Sequence, residues 1–313
     1  MTVKYNMIAS LKRQVSKITF GCWELGGGAW EKESDEANLK VIEEALKLGI
    51  NSFDTAEGYG NGHSEEVVGL ALEKRRQDVV IASKVSPSHL RASDVRQSIE
   101  NSLKRLRTEY LDIYYVHWPN ADIPVHETMV EFRRLREEGL IRAVAVSNFS
   151  RAQLEEAEEV TKVDFIQNEY SLLHRSLEDE VIPYCIEHDI AIMTYSSIAK
   201  GILSGVYHLG DTPRKLADDD FRKTRRLFLP HHLEKETELV HAVKEVAEAH
   251  NVMPSEIAIS WLLHQTGVTS AIVGTQNAEH LKQNVRAVDI ELTEAQIHRL
   301  DEVSRRTLTA IDG

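Results

Sequence analysis

The sequence predicts a closed barrel of eight parallel strands with helices on the outside. Short apolar segments rich in β-branched residues alternate with helical segments along the 313 residues. Such segments are apolar on both faces, which is typical of parallel strands covered by helices. A strand followed by a helix throughout the chain favours a (β/α)8 barrel over an open doubly wound sheet. Since no change in composition marks a linker, we expect residues 1–313 to form one domain.

The predicted strands follow in regular order after a short N-terminal segment, which we expect to form a hairpin that acts as a lid. Each is short, apolar and bounded by polar or turn residues, as expected of buried strands. The eight predicted barrel strands are residues 18–20, 51–54, 79–84, 110–117, 141–147, 165–168, 190–196 and 270–274.

The predicted helices lie between these strands. Residues 38–48 have apolar side chains on one helical face, and Ser64 is a candidate N-cap of the next helix. A third helix starts near Ser93, and a fourth over residues 126–138 is stopped by Gly139. A weakly periodic stretch of about 200–235 follows the seventh strand; a long loop in a compact domain is usually a lid or a binding loop.

The composition excludes several classes of partner. The net charge of −13 argues against nucleic acid or an anionic membrane as a main partner. No apolar run approaches membrane-spanning length, and the N-terminus lacks the apolar core of a signal peptide. The two cysteines, Cys22 and Cys185, form neither a disulfide framework nor a CxxC metal pair. We therefore expect a cytoplasmic protein.

Four residues with complementary chemistry end or follow the early strands. Asp54, Lys84 and His117 are the last residues of three predicted strands, and Tyr59 lies five residues after Asp54. The C-terminal ends of barrel strands meet at the face where barrel enzymes carry their active sites. Each residue alone has a structural interpretation: a turn aspartate, an ion pair, a loop aromatic or a core histidine. Together they favour catalysis.

The segment FDTAEGYGNGHSEEVVG at 53–69 resembles the aldo-keto reductase signature, a DTA-x-x-Y-G core followed by G-x-S-E. The resemblance continues nearly to the C-terminus through Ser83-Lys84-Val85, Tyr115-Val116-His117-Trp118, Ser147-Asn148-Phe149, Gln167-Asn168-Glu169-Tyr170, Tyr195-Ser196 and Ile272-Val273-Gly274-Thr275. It implies a barrel enzyme that reduces aldehydes or ketones with hydride from a nicotinamide cofactor lying across the C-terminal rim.

The resemblance also gives the four residues their roles. Tyr59 is the general acid, although a free phenol has a pKa of about 10. A cation about 4 Å away would lower the pKa of Tyr59 towards neutrality, and Lys84 is the candidate cation. Asp54 would keep Lys84 charged, and His117 would orient the carbonyl group.

The same resemblance implies the cofactor and substrate contacts. By position, the nicotinamide carboxamide is bound by Ser147, Asn148 and Gln167, and the nicotinamide ring stacks on Tyr195. The diphosphate is held by Ser196, Ile198, Gly201 and Leu203. The adenosine ribose lies near Gly274, Thr275, Gln276 and His280, and adenine is contacted by Gln283 and Asn284. The rim aromatics Trp23, Trp118 and Phe149, with Trp30 as a further candidate, would line the substrate pocket.

NADPH is the cofactor expected on family grounds. NADH is the alternative, because neither Gln276 nor His280 is the permanent cation that many NADPH-binding relatives carry at those positions. The glycines at 58, 60 and 62 do not match the spacing of a dinucleotide fingerprint, and Gly26-Gly27-Gly28 is interpreted as a flexible loop.

Two other classes of function remain open from the sequence. The fold also serves in regulatory subunits that bind cofactor and a protein partner. A metal-dependent barrel hydrolase is suggested by the 14 histidines, but His117 is the only histidine at a clear strand end and no H-x-H follows the first strand. A small carbonyl compound therefore remains the expected ligand, and no metal site is expected.

Overall fold

The computed structural model describes residues 3–27, 33–210 and 212–313. Eight parallel strands close into a barrel in the order β10-β3-β4-β5-β6-β7-β8-β9, which confirms the predicted (β/α)8 fold. The barrel strands are β3 (Ile18–Gly21), β4 (Ser52–Asp54), β5 (Val80–Val85), β6 (Leu111–Val116), β7 (Ile141–Ser147), β8 (Phe165–Glu169), β9 (Ala191–Tyr195) and β10 (Val268–Gly274).

Helices surround the barrel and bury their apolar faces against it. Those in the described residues are α1 (Asp35–Lys47), α2 (His63–Leu72), α3 (Ala92–Leu106), α4 (Val125–Glu137), α5 (Arg151–Glu158), α6 (Val181–Glu187), α7 (Pro230–His250), α8 (Pro254–His264), α9 (Ala278–Arg286) and α10 (Glu294–Asp312). Helix α4 ends where predicted, because Gly139 takes the left-handed conformation (φ 78°) that glycine adopts without strain.

The N-terminal hairpin closes the bottom of the barrel. Its strands β1 (Tyr5–Ile8) and β2 (Arg13–Ser16) pair antiparallel, as the sequence suggested. Ile8, Leu11 and Val15 pack into the barrel interior. Arg13 Nη1 donates to Val79 O at 3.0 Å, at the start of β5. The hairpin is therefore a lid on the N-terminal end of the strands, opposite the face that carries the candidate site.

Two local predictions were wrong. Ser64 lies inside the first turn of α2 and does not cap it; its Oγ donates to Cys22 O at 2.7 Å and lies 2.8 Å from Thr55 Oγ1, so it joins two strand ends. The long segment after β9 is also shorter than 200–235, because α7 begins at Pro230. Proline suits a first helical turn, since its missing N–H has no partner there in any case.

Candidate active site

The ends of β4 and β5 bring Asp54 and Lys84 into contact. The two strands are neighbours, and both side chains are buried. Lys84 Nζ donates to Asp54 Oδ1 at 2.5 Å and to Thr55 O at 2.8 Å. It also lies 3.2 Å from Tyr59 OH. The structure thus brings together three of the four predicted catalytic residues around one ammonium group.

The backbone of Tyr59 is fixed by close contact between two loops. Tyr59 begins a short 3₁₀ turn after β4, in which Gly60 has a φ of 59°. A Cβ on Gly60 would lie only 2.1 Å from Gly26 O, so the loop after β3 packs directly on it. Gly26 is therefore part of a tight contact, not of the flexible loop expected from the sequence. Gly28 lies outside the described residues.

His117 completes the cluster from the end of β6. Its backbone N–H donates to Val85 O at 3.0 Å. Its ring meets the Tyr59 ring edge-on, with centroids 5.6 Å apart and planes at 77°. Burial, together with the charge of Lys84, lowers the pKa of His117 to about 3. The imidazole is therefore neutral at physiological pH and has one N–H to donate.

The pKa of Tyr59 shifts opposite to the sequence expectation. Burial raises the pKa of Tyr59, and the charge of Asp54 adds to the rise; Lys84 opposes both without outweighing them. Asp54 and Tyr59 together raise the pKa of Lys84, although burial alone would lower it. The predicted pKa near neutrality was wrong mainly because Tyr59 is buried, and also because Asp54 partly balances the charge of Lys84. The arrangement instead keeps Tyr59 protonated, which is the form of an acid ready to donate.

A second set of polar residues connects this cluster to the next strands. Gln167 Nε2 on β8 donates to Asp54 Oδ2 at 2.7 Å, and Ser147 Oγ donates to Gln167 O at 2.7 Å. Asn148 Nδ2 donates to His117 O at 3.0 Å, and Tyr195 OH donates to Asn148 Oδ1 at 2.7 Å. The four predicted nicotinamide-binding residues thus lie at the same barrel rim as the catalytic cluster.

The segment after β9 turns sharply across this rim. Ser196 and Gly201 have positive φ values of 56° and 103°. Lys200 Nζ donates to Glu169 Oε1 and to Ser196 Oγ, both at 3.0 Å. Of the other residues predicted to hold the diphosphate, Ile198 is partly buried. Leu203 is fully buried, and its backbone N–H donates to Ile198 O at 3.2 Å.

The turn between β10 and α9 holds the predicted adenosine-binding residues. Gly274 is exposed, and Thr275 Oγ1 accepts from Asn277 N at 3.0 Å. Gln276 Nε2 donates inward, to Glu24 O at 3.2 Å and Asn38 Oδ1 at 3.3 Å. Further along, His280 is exposed, Gln283 is partly buried and Asn284 is buried.

The predicted substrate-pocket aromatics lie in different environments. Trp118 is 48% exposed, whereas Phe149 is 3% exposed. Both line a cavity of about 350 Å³ together with Tyr195. Trp23 lies beside the catalytic acid, with its ring centroid 6.2 Å from that of Tyr59. Trp30 lies outside the described residues.

Contacts across the rim include residues that sequence reasoning missed. Trp23 meets Phe221 edge-on at 5.7 Å, so the segment after β9 contacts the loop after β3. Beside them, burial raises the pKa of Glu24 to about 7. The charge of Arg222 and the backbone N–H of Gln276 lower that pKa, but burial outweighs them. An aromatic residue inside a charged stretch was the one signal for Phe221, and nothing in the sequence marked Glu24.

The basic residues between β9 and α7 do not act as one group. Arg222 is partly buried and forms a forked ion pair with Asp220. Lys223 and Arg226 pair on the surface with Asp218 and Asp312.

Metal and membrane features bear on the other classes of function. Within residues 3–27, 33–210 and 212–313, no cluster of three His, Cys, Asp or Glu side chains suited to a metal ion occurs. In the same residues, no helix is long and apolar enough to cross a membrane.

The fold and site define a barrel oxidoreductase, and comparisons with known proteins agree. A profile of the Aldo/keto reductase family matches residues 17–305. The chain is 32% identical over 291 residues to aldo-keto reductase YhdN of Bacillus subtilis (strain 168), covering 90% of this chain and 87% of the relative. It is 29% identical over 314 residues to the NADH-specific methylglyoxal reductase of Escherichia coli (strain K12), covering 93% of this chain and 95% of the relative.

A solved structure gives the same result. The crystal structure of an aldo/keto reductase from Klebsiella pneumoniae in complex with NADP and acetate matches with a TM-score of 0.77 and 28% identity, over 96% of this chain and 94% of that one. The chain belongs to the aldo/keto reductase family, whose members are NAD(P)H-dependent oxidoreductases.

Proposed function

We propose that this protein reduces a small aldehyde or ketone to the alcohol, with Tyr59 as the general acid. The contact of Lys84 Nζ with both Asp54 and Tyr59 carries the proposal, since a fully buried lysine between a carboxylate and a phenol suits proton transfer. The bound nicotinamide cofactor supplies the hydride. We further propose that the whole chain acts as one barrel domain and works in the cytoplasm.

Each residue of the cluster has a distinct role in this proposal. Tyr59 donates its proton to the carbonyl oxygen, and Lys84 stabilises the phenolate that remains. Asp54 keeps Lys84 protonated and is itself held by Gln167. The neutral His117 donates its N–H to the same carbonyl oxygen and fixes the direction of approach. The oxygen thus receives two hydrogen bonds as negative charge develops on it.

The cofactor fits the rim by the chemistry of the residues there. Ser147, Asn148 and Gln167 offer amide and hydroxyl groups to a carboxamide, and Tyr195 offers a ring face. The turn that contains Ser196 and Gly201 is suited to a diphosphate, because successive backbone N–H groups form anion-binding concavities. The family resemblance favours NADPH, with NADH as the alternative. The relatives named above include one described with NADP and one described as NADH-specific.

A carbonyl compound with an apolar part is the substrate class proposed. Trp118 and Phe149 give the 350 Å³ cavity apolar walls, while Glu169, Arg151 and His174 add polar groups to it. Asn148 and Tyr195 also line this cavity, so it lies beside the residues proposed to hold the nicotinamide.

The test has two stages. The purified protein is titrated with NADPH and NADH by fluorescence, and a panel of aldehydes and ketones is then followed at the absorbance of the reduced cofactor. We expect cofactor binding and turnover with at least one compact carbonyl compound. Tight binding with turnover at background would contradict the proposal and favour a regulatory subunit instead, which a stoichiometric protein complex in a pull-down would support.

A further inference from the structure

The turn between β10 and α9 satisfies several of its own hydrogen-bond donors. Asn277 N donates to Thr275 Oγ1 at 3.0 Å, and Asn277 Oδ1 accepts from the N–H groups of Glu279 at 2.8 Å and His280 at 3.2 Å. Loops after the last two strands of a barrel, with the N-terminus of a following helix, are a common place for phosphate. Here Asn277 Oδ1 already takes the N–H groups of Glu279 and His280 in the first turn of α9.

A carboxylate from another loop lies on this turn. Gln276 Nε2 donates to Glu24 O at 3.2 Å, so the loop after β3 lies against the turn. A Cβ built on Gly274 would lie 3.5 Å from Glu24 Oε1, so the carboxylate is next to the exposed backbone of Gly274. The turn therefore already holds an anion that belongs to the chain.

The cations around this turn are engaged elsewhere in the described structure. Arg222, which acts on Glu24, forms a fork with Asp220, so these three side chains sum to one negative charge when Glu24 is ionised. On α9, Lys282 pairs with Glu279, and Arg286 is bonded to Glu256 on α8.

We propose that Glu24 makes this enzyme prefer NADH over NADPH, by holding a carboxylate where the 2′-phosphate of the adenosine ribose would bind. The inference rests on the proposed function, since it takes the β10–α9 turn as the adenosine end of the cofactor site. A carboxylate accepts a hydrogen bond from a ribose 2′-hydroxyl, whereas a 2′-phosphate needs a cation such as arginine. The residues around this turn thus favour NADH, whereas the family resemblance favours NADPH.

The experiment compares dissociation constants for NADH and NADPH in the parent protein and in Glu24→Gln, by fluorescence at fixed ionic strength and pH 8. At that pH the Glu24 carboxylate, whose pKa is about 7, is mostly charged. Glu36→Gln is the matched control, because Glu36 is exposed on α1 and the variant makes the same change in net charge.

We expect the parent to bind NADH at least about tenfold more tightly than NADPH. Glu24→Gln should lower the dissociation constant for NADPH by about tenfold, the effect of one charge-assisted contact. It should leave the dissociation constant for NADH within about threefold of the parent value. Glu36→Gln should change neither constant.

Three results would overturn the inference. The parent could bind NADPH more tightly than NADH. Glu24→Gln could leave the NADPH constant unchanged, or could change both cofactors equally. If Arg222→Gln weakens the binding of NADPH while Glu24→Gln does not strengthen it, the 2′-phosphate is held by Arg222. Failure of the parent protein to bind either cofactor would instead contradict the proposed function.

Discussion

At the scale of single residues, the candidate site depends on a lysine that is fully buried and charged. Lys84 contacts Asp54, the carbonyl of Thr55 and Tyr59, so its three donors have three partners. The same contacts serve stability and chemistry, and variants must separate the two.

Tyr59→Phe tests the acid alone. The variant keeps the ring that packs against Trp23 and His117 and loses the proton donor. We expect carbonyl reduction to fall by about 10²–10⁴, the usual contribution of a general acid, with cofactor dissociation constants unchanged. Tyr110→Phe, just before β6 and so at the opposite end of the barrel, is the control and should keep full activity. A Tyr59→Phe variant as fast as the parent would rule out the assignment.

Lys84→Met tests the ion pair. Removing the ammonium leaves Asp54 buried without its partner, so we expect a loss of about 3–5 kcal/mol in the free energy of unfolding, together with loss of activity. Urea denaturation and steady-state kinetics measure the two effects.

The double variant Asp54→Asn/Lys84→Met separates the two roles. It has no orphan charge, so it should regain much of the stability lost in Lys84→Met and none of the activity. Recovery of activity in the double variant would mean that Lys84 is only structural.

At the scale of elements, the two loops after β3 and β4 hold the acid in place through a contact between glycines. Gly60→Ala puts a methyl group 2.1 Å from Gly26 O and must move the loop that carries Tyr59. We expect kcat for carbonyl reduction to fall at least about tenfold, because small displacements of a catalytic group are costly.

Gly139→Ala is the matched control for that variant. Gly139 also has a positive φ, of 78°, but a Cβ there meets nothing within 4 Å. It should therefore lose a similar amount of backbone stability while keeping kcat. Equal kcat values for the two variants would show that the Gly26–Gly60 contact does not position Tyr59.

At the scale of the whole molecule, a buried carboxylate on α7 gives stability a defined pH dependence. Glu236 is fully buried, and both carboxylate oxygens lack a hydrogen-bond partner among the described residues. Burial raises the pKa of Glu236 to about 8. The folded protein therefore holds a proton that the unfolded chain releases near pH 4.5, and stability falls as the pH rises towards 8. Nearby, burial lowers the pKa of His208. This shift makes stability fall as the pH drops, but only below about pH 6.5, where a free imidazole takes up its proton.

Glu236→Gln should remove this dependence between pH 6.5 and 8. We expect the difference in unfolding free energy, variant minus parent, to grow by up to about 1.4 kcal/mol per pH unit over that range. Urea denaturation at several pH values measures it, and Glu238→Gln, an exposed change on the same helix, is the control. A difference that stays constant with pH would contradict a raised Glu236 pKa.

Patterns along the chain were enough to define the barrel and the residues at its strand ends. Local apolar runs mark strands directly, and the C-terminal ends of parallel strands share one face. Asp54, Lys84 and His117 could therefore be placed together from their positions in the sequence. The order of short motifs around them was enough to indicate the family.

The electrostatics and the contacts between distant loops depend instead on the folded molecule. Burial of Tyr59 and the balance between Lys84 and Asp54 set the direction of its pKa, and neither is encoded in spacing. The meeting of Glu24 with Gln276 joins residues 252 positions apart in sequence. Since chain closure brings the first barrel strand beside the last, such a contact follows from the barrel as a whole and not from any local pattern.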